Sequence, residues 1–474
     1  MRLFCVPVLA AALAGCATMN AEKTFAPIQA DAEARLQQDI EWVGITAPEE
    51  EIVARVNTLL KDELSAQDAV QIALLFNRRL QGHFEKLGIA RADVVQASRL
   101  SNPVVEVTQL FEDGKSGNRS LELVLVQDFL DLLLMPVRQQ ATAAAYEQVR
   151  LEVTADVVRT ASRTRMAFYD LQAAQQNLEL FQQVLLAMEA SFEWAQALRK
   201  AGNVPLDFLL RERAQYERTK LQVAEAELRV VEQRERLNRL MGLWGEATGW
   251  TAELRLPPVP EQLPDVTDME RQALEASLDL AGRRQGLLRT AHSLGVRNAE
   301  QVLSGLEVGM QAEREKEGGE NGPWHRGPVV SVAVPIFDQG QGVRGKSQAL
   351  FRQAWDEYHA TAVDVRSVAR LAGYQLKYAA QRARYLHGVV LPMHEQLLLQ
   401  MQLRYNAMFT GTLELLDAAR QDIEVAQEYV EALRGYWQAQ AQVEELLAGT
   451  LPETLLDAPL SIGRQGEEQQ EQAH

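Results

Sequence analysis

The chain has 474 residues, 47% of them hydrophobic and 24% charged, with a formal net charge of −17. That length supports a large core, and the composition excludes both a disordered chain and a helical membrane protein. The acidic excess argues against nucleic acid as a partner, since a duplex-binding surface needs basic residues to release counterions.

The N-terminus is the first specific signal. Arg2 supplies a positive start, and Leu3 to Ala14 form an apolar core of about 12 residues, too short for a permanent span but right for a secretory signal. Leu13-Ala14-Gly15-Cys16 resembles a bacterial lipobox. The resemblance implies cleavage after residue 15 and a covalent lipid on Cys16, the sole non-protein group expected. Ala17 after the cysteine favours the outer membrane by the same resemblance. A plain signal peptide with an incidental cysteine is the alternative. Cys5 and Cys16 are the two cysteines, so the body of the protein can hold neither a disulfide framework nor a cysteine metal site. The seven His are scattered and Met393-His394 is too sparse for a ligand set, so no metal site is expected. No other segment is apolar for long enough to be a transmembrane helix, so any crossing must be a closed β-barrel.

The elements then come in an order that occurs twice. After Ser65, a helix is expected from Ala66 to Leu100, ended by Asn102-Pro103. A strand follows, then the polar turn Glu112 to Asn118, then a strand from Leu121 to about Phe129. Val137 to Ala201 runs without Gly or Pro and reads as one helix rising roughly 100 Å, far beyond a globular domain. Gly202-Asn203-Val204-Pro205 breaks it, and another helix runs from Leu206 to about Leu243. The second half offers a helix from Met269 to Val302 and a strand near Gly305 to Glu313. The turn Glu317 to Pro323 and a strand from Val329 to Phe337 come next. A long helix from Gly345 to Phe409, a break at Thr410-Gly411-Thr412 and a last helix from Leu413 to Leu447 complete it. Asp131 with Asp338, and Gly202 with Gly411, stand about 208 residues apart in both pairs, the mark of a duplication. Trp324 and His325 fall in the second expected loop.

The strands carry the functional argument. Leu306, Val308, Met310 and Ala312 alternate with polar residues, as do Leu121, Leu123 and Leu125. Each strand is about 9–11 residues with one apolar face, the pattern of a tilted membrane strand. Two hairpins give four strands, and even eight strands leave no aqueous lumen. Three copies would supply twelve, which predicts a homotrimer. Two soluble hairpins capping a helical bundle would show the same periodicity.

Helix, hairpin, long helix, tip and helix, repeated behind a lipobox, resembles the TolC family of outer-membrane efflux proteins over about residues 60–450. Ser101-Asn102-Pro103-Val104-Val105 resembles its entry to the first strand, and Val334-Pro335-Ile336-Phe337-Asp338-Gln339-Gly340 its exit from the last. Ala167 to Ala174 resembles the tyrosine-bearing stretch of the first long helix. Tyr405 to Gly411 followed by Glu414-Leu415-Leu416-Asp417-Ala418 resembles the second tip. Leu391-Pro392 falls where the family often kinks. One departure is Leu132-Leu133-Leu134-Met135-Pro136, where a Gly-rich turn is usual.

The resemblance implies a mainly α fold with a small β part: a trimeric α-helical barrel plus a 12-stranded β-barrel, four strands per protomer. It implies partners too, namely a periplasmic adaptor (membrane fusion) protein, an inner-membrane pump and outer-membrane lipid. The expected segments are a signal peptide at 1–15, a lipid-anchored segment at 16–64, a first repeat at 65–250 (hairpin about 102–129), a second at 251–450 (hairpin about 303–337) and a tail at 451–474. Glu414 and Asp417, one helical turn apart, would form stacked carboxylate rings in a threefold tube and are candidate gate residues; ordinary solvated acids near a helix start are the alternative. Gly202 and Gly411 are expected to permit the tight turns, with Asn203, Val204, Thr410 and Thr412 sharing adaptor docking. No nucleophile–base set or phosphate loop is present, so no enzyme activity is expected; the resemblance implies a passive exit duct for small molecules or metal ions in the Gram-negative outer membrane. One-step protein secretion, and a coiled-coil lipoprotein scaffold without a pore, are the rival readings.

Overall fold

The computed structural model describes residues 21–111, 119–253, 255–302, 306–317, 320–333, 336–337 and 339–456. Cys16 and its signal, the first hairpin turn and the tail after Ser461 lie outside the described residues. The chain forms two compact units, each assembled from both halves of the sequence.

One unit is built chiefly from Glu85–Val153 and Leu280–Thr361 and holds the sheet. Its strands are β1 (Val104–Phe111), β2 (Arg119–Asp128), β3 (Glu307–Glu317) and β4 (Glu320–Ser331), antiparallel in the order β1-β2-β3-β4. The second hairpin has a shorter loop than expected: β3 runs on to Glu317, β4 begins at Glu320 rather than Val329, and β4 stops at Ser331, short of Phe337. Trp324 and His325 are therefore strand residues, paired with Arg314 and Glu313. Pro323, Pro328, Gly322 and Gly327 read as breakers, but β4 lies at the edge of the chain's own sheet, where an outward-facing N–H bonds no strand of this chain. Backbone pairing of Arg119 and Ser120 with Lys316 and Glu315 carries the ladder past the apolar positions.

The helix after β2, α5 (Phe129–Lys200), starts before Pro136 rather than at Val137. Asp131 accepts a bond from Arg138 Nη2 at 2.7 Å across that proline, and this bond holds its carboxyl below the usual range. The Leu132–Met135 segment is thereby helical.

The other unit, Ala26–Phe84, Thr154–Asp279 and Ala362–His474, is helical. Two helices without sequence signals, α1 (Ala21–Leu36) and α2 (Glu49–Leu59), lead into α3 (Ala66–Phe76) and α4 (Arg78–Ala97). Ser65 and Asp68 cap α3 reciprocally, its hydroxyl accepting from Asp68 N at 3.2 Å and the carboxylate from Ser65 N at 3.1 Å. The single helix expected over 66–100 is broken at Asn77. Its Oδ1 accepts from Arg79 N at 2.8 Å, and its Nδ2 donates to Leu240 O at 2.7 Å at the end of α6 (Leu206–Met241). Gly242, at φ +74°, lets that end approach, since a Cβ there would stand 2.8 Å from Phe76 O.

The second half repeats the device. Ser277 separates α7 (Met269–Ala276) from α8 (Leu278–Val302), and Leu278 N donates at 2.7 Å to Gly449 O. Gly449 has φ +108° and closes the last long helix, α11 (Thr412–Leu447), which follows α9 (Gln341–Tyr385) and α10 (Leu391–Asn406). Between α9 and α10, Leu386–Val390 form a π turn just ahead of Pro392, whose ring would collide with an α-helical carbonyl four residues back. The core gathers Ile72, Leu75, Phe168, Leu171, Leu237, Trp250 and Leu433, with the Tyr169 ring 5.2 Å from that of Trp437.

Candidate functional site

The register sorts the strand residues into two faces. One carries Val105 and Val107 of β1, Leu121, Leu123 and Leu125 of β2, Val308, Met310 and Ala312 of β3, and Pro328 and Val330 of β4. Of these, Val105, Val107, Met310 and Val330 are more than half exposed, and among the described residues no helix packs closely on the sheet. The other face carries Glu106, Glu122, Asp128, Glu307, Glu313 and Glu315 and no Lys or Arg. One cross-strand row on it reads Thr108, Glu122, Glu313, His325. Gln311 of the next row donates to Glu122 Oε1. The four strand bases, Arg119, Arg314, Lys316 and Arg326, all stand on the apolar face. The sheet therefore separates charge by sign, one surface being apolar with a basic end and the opposite one acidic.

The two helical tips close alike. In the first, Gly202 N donates to Arg199 O at 3.1 Å and Asn203 N to Leu198 O at 2.9 Å. In the second, Met408 N donates to Tyr405 O at 2.9 Å and Phe409 N to Arg404 O at 2.9 Å. This is the Schellman pair that ends a helix in a left-handed residue. That residue is Gly202 at φ +77° in one tip and Met408 at φ +62° in the other. The expected equivalence of Gly202 with Gly411 is thus corrected: Gly411, at φ −84° and ψ 165°, is the N-cap of α11, as Pro205 is of α6. It is not needed for the turn. Asn203 is exposed, Val204 half-buried with its carbonyl accepting from Arg199 Nη1 at 3.0 Å, and Thr412 Oγ1 lies 3.5 Å from the Tyr405 hydroxyl. Met408 and Phe409 are 93% and 80% exposed and make the second tip an apolar knob.

Both tip acids are exposed on α11. Glu414 accepts from Thr410 Oγ1. Asp417 is paired with Arg420 at 2.7 Å and accepts from Gln421 Nε2 at 2.9 Å. Asp422 is different. Burial, with the Glu395 carboxylate of α10, pushes its carboxyl up, and its Oδ1 has no hydrogen-bond partner. No sequence pattern signals it, because the pair forms only when two helices meet.

A crevice of about 570 Å³ between α5, α6 and α11 is lined by Asp170, Arg229, Arg236, Glu431 and Arg434. Asp170 binds Arg236 at 3.0 Å and Arg434 at 3.1 Å, so this is an ion-pair network holding helices together. Among the described residues no three His, Cys, Asp or Glu are grouped to hold a metal, and no helix is long and apolar enough to cross a membrane.

No family model matches the sequence. The chain is similar to the cobalt-zinc-cadmium resistance protein CzcC of Cupriavidus metallidurans, 26% identical over 400 residues that cover 81% of this chain and 90% of that protein. Its fold matches the outer membrane protein VceC of Vibrio cholerae with a TM-score of 0.65 at 15% identity, covering 84% of this chain and 97% of VceC. It matches the MtrE outer membrane channel of Neisseria gonorrhoeae with a TM-score of 0.63 at 17% identity, covering 81% and 89%. It matches the transmembrane channel CusC with a TM-score of 0.60 at 16% identity, covering 82% and 93%.

Proposed function

We propose that this chain, an outer-membrane factor of the TolC family, is the exit duct of a tripartite efflux machine and passes metal cations out of the cell. The observation that carries the reading is the separation of charge across the sheet. An apolar face suits lipid, and a face that carries carboxylates and, among the described strand residues, no Lys or Arg suits an aqueous lumen that favours cations. The metal-resistance relative points to the same cargo. The duct catalyses nothing; the pump supplies the energy.

Three copies close the tube. The outer edges of β1 and β4 have no partner within the chain, and an unpaired edge cannot lie in lipid. Twelve strands from three protomers remove every edge and leave a water-filled interior. Cys16 carries the lipid that tethers the chain. The tips dock the adaptor through Gly202, Asn203, Val204, Thr410, Gly411 and Thr412, and Met408 and Phe409 add apolar surface there. Glu414 and Asp417 ring the periplasmic mouth, and opening it shifts the balance between each acid's local partner and its symmetry mates. Protein secretion uses the same fold, but the acidic lining and the metal-resistance relative favour cations.

Deleting the protein should raise sensitivity to cobalt, zinc and cadmium, and the purified protein should conduct in a planar bilayer with cations preferred. Glu122→Gln with Glu313→Gln should cut that preference severalfold while leaving conductance. Unchanged metal tolerance together with an unselective pore would reject the reading.

A further inference from the structure

The four bases of the sheet have no role in a cation duct, and their placement asks for a partner. Strand ends at Val104, Asp128, Glu307 and Ser331 connect towards helices, so the opposite, turn-bearing ends lie outermost. On the apolar face the rows nearest the helices hold Val308 with Val330 and Met310 with Pro328. The next holds Ala312 with Arg326, then Arg314 with Trp324, then Arg119 with Lys316. Among the described strand residues every base is thus in the three outermost rows, and no acid stands on this face.

Two of these bases are directly opposed. Arg119 of β2 and Lys316 of β3 are cross-strand partners with side chains on the same face. Like charges so placed repel unless an anion joins them. None of Arg119, Lys316 and Arg326 forms an ion pair with a described residue. Arg314 stands two residues before Lys316 on β3, diagonal to Arg119, and is held in place, its Nε donating to Gly322 O at 3.0 Å and its guanidinium 5.7 Å from the Trp324 ring. That leaves its terminal N–H groups for a ligand with paired oxygens.

We infer that Arg119, Arg314, Lys316 and Arg326 form a docking surface for the phosphate groups of phosphorylated lipid in the outer leaflet. A base on a lipid-facing strand is tolerated near the interface, where headgroups begin, and Trp324 in the same row is a residue type that settles at that depth. A phosphate between Arg119 and Lys316 would relieve their repulsion, and with Arg314 they form a three-cation cradle. This rests on the barrel reading above.

The test uses full-length protein in phosphatidylcholine nanodiscs with bisphosphorylated lipid A as probe, bound lipid being counted by native mass spectrometry. Wild-type protein should retain the bisphosphorylated lipid at least tenfold better than its dephosphorylated form. Arg119→Gln, Arg314→Gln and Lys316→Gln combined should abolish that difference, with bilayer conductance and cation preference unchanged. Equal retention by wild type and this variant, both conducting, would overturn the inference. Should the glutamine variant fail to form a barrel, Arg119→Gln with Lys316→Gln carries the test: loss of the phosphate-dependent difference with normal conductance supports the inference, and wild-type retention overturns it. A wild-type protein that never conducts would instead fail the duct reading.

Discussion

Glu445 of α11 is 6% exposed, and its carboxylate accepts from Ser162 Oγ at 2.7 Å and from Thr450 Oγ1 at 3.4 Å. Burial outweighs those bonds and the nearby arginines, and its pKa is pushed up to about 7. An acid whose folded pKa is raised binds more protons folded than unfolded, so stability is highest below the unfolded value and is lost as pH climbs towards 7. Glu445→Gln should remove that slope and stabilise the protein by up to about 3 kcal/mol at pH 8, read from urea unfolding of the purified protein at pH 5 and pH 8. A variant with the same pH slope as wild type would show that the carboxyl ionises freely. The sequence displays Glu444-Glu445 as an ordinary acidic pair. Only packing against Ser162 and Thr450 separates the buried acid from its neighbour, which pairs with Arg165. Glu414 and Asp417 are the opposite case, one turn apart in the sequence and both exposed on one helix.

Secondary-structure elements were legible wherever a local rule decides them. The turn at Gly202 and the start of α3 at Ser65 follow from residue type alone. The misreadings share one cause, a decision taken by a distant partner. Asn77 and Ser277 break helices that periodicity joins, because Leu240 and Gly449 offer their carbonyls there. β4 accepts prolines because it lies at an edge, and the second tip puts Met408 where the first puts glycine. Gly309 of β3 is a further partner-determined position: a Cβ there would come within 2.3 Å of Leu125 O on β2. Gly309→Leu should therefore split the β2–β3 pairing, destabilising the sheet by about 3 kcal/mol or more and abolishing conductance, while helical circular dichroism stays near wild type. Normal conductance in that variant would mean the strands pair in another register.

At the scale of the whole molecule, the proposed duct would be held in the membrane in two independent ways, by a lipid on Cys16 and by a closed barrel. A single acyl chain binds reversibly, whereas a barrel does not leave the bilayer. Cys16→Ser, exported behind a cleavable signal, should still fractionate with the outer membrane as heat-resistant trimers. A soluble monomer would overturn the trimeric duct. By itself the sequence determined the duplication, the helix–hairpin order and the four amphipathic strands, because each is written in residue periodicity or in turn chemistry within a few positions. Tertiary structure alone decided where long helices break, which end of β4 belongs to the sheet and which strand residues share a face. The faces depend on the register between β2 and β3, segments that stand far apart in the chain, and one residue of slip would have exchanged the acids for the apolar side chains.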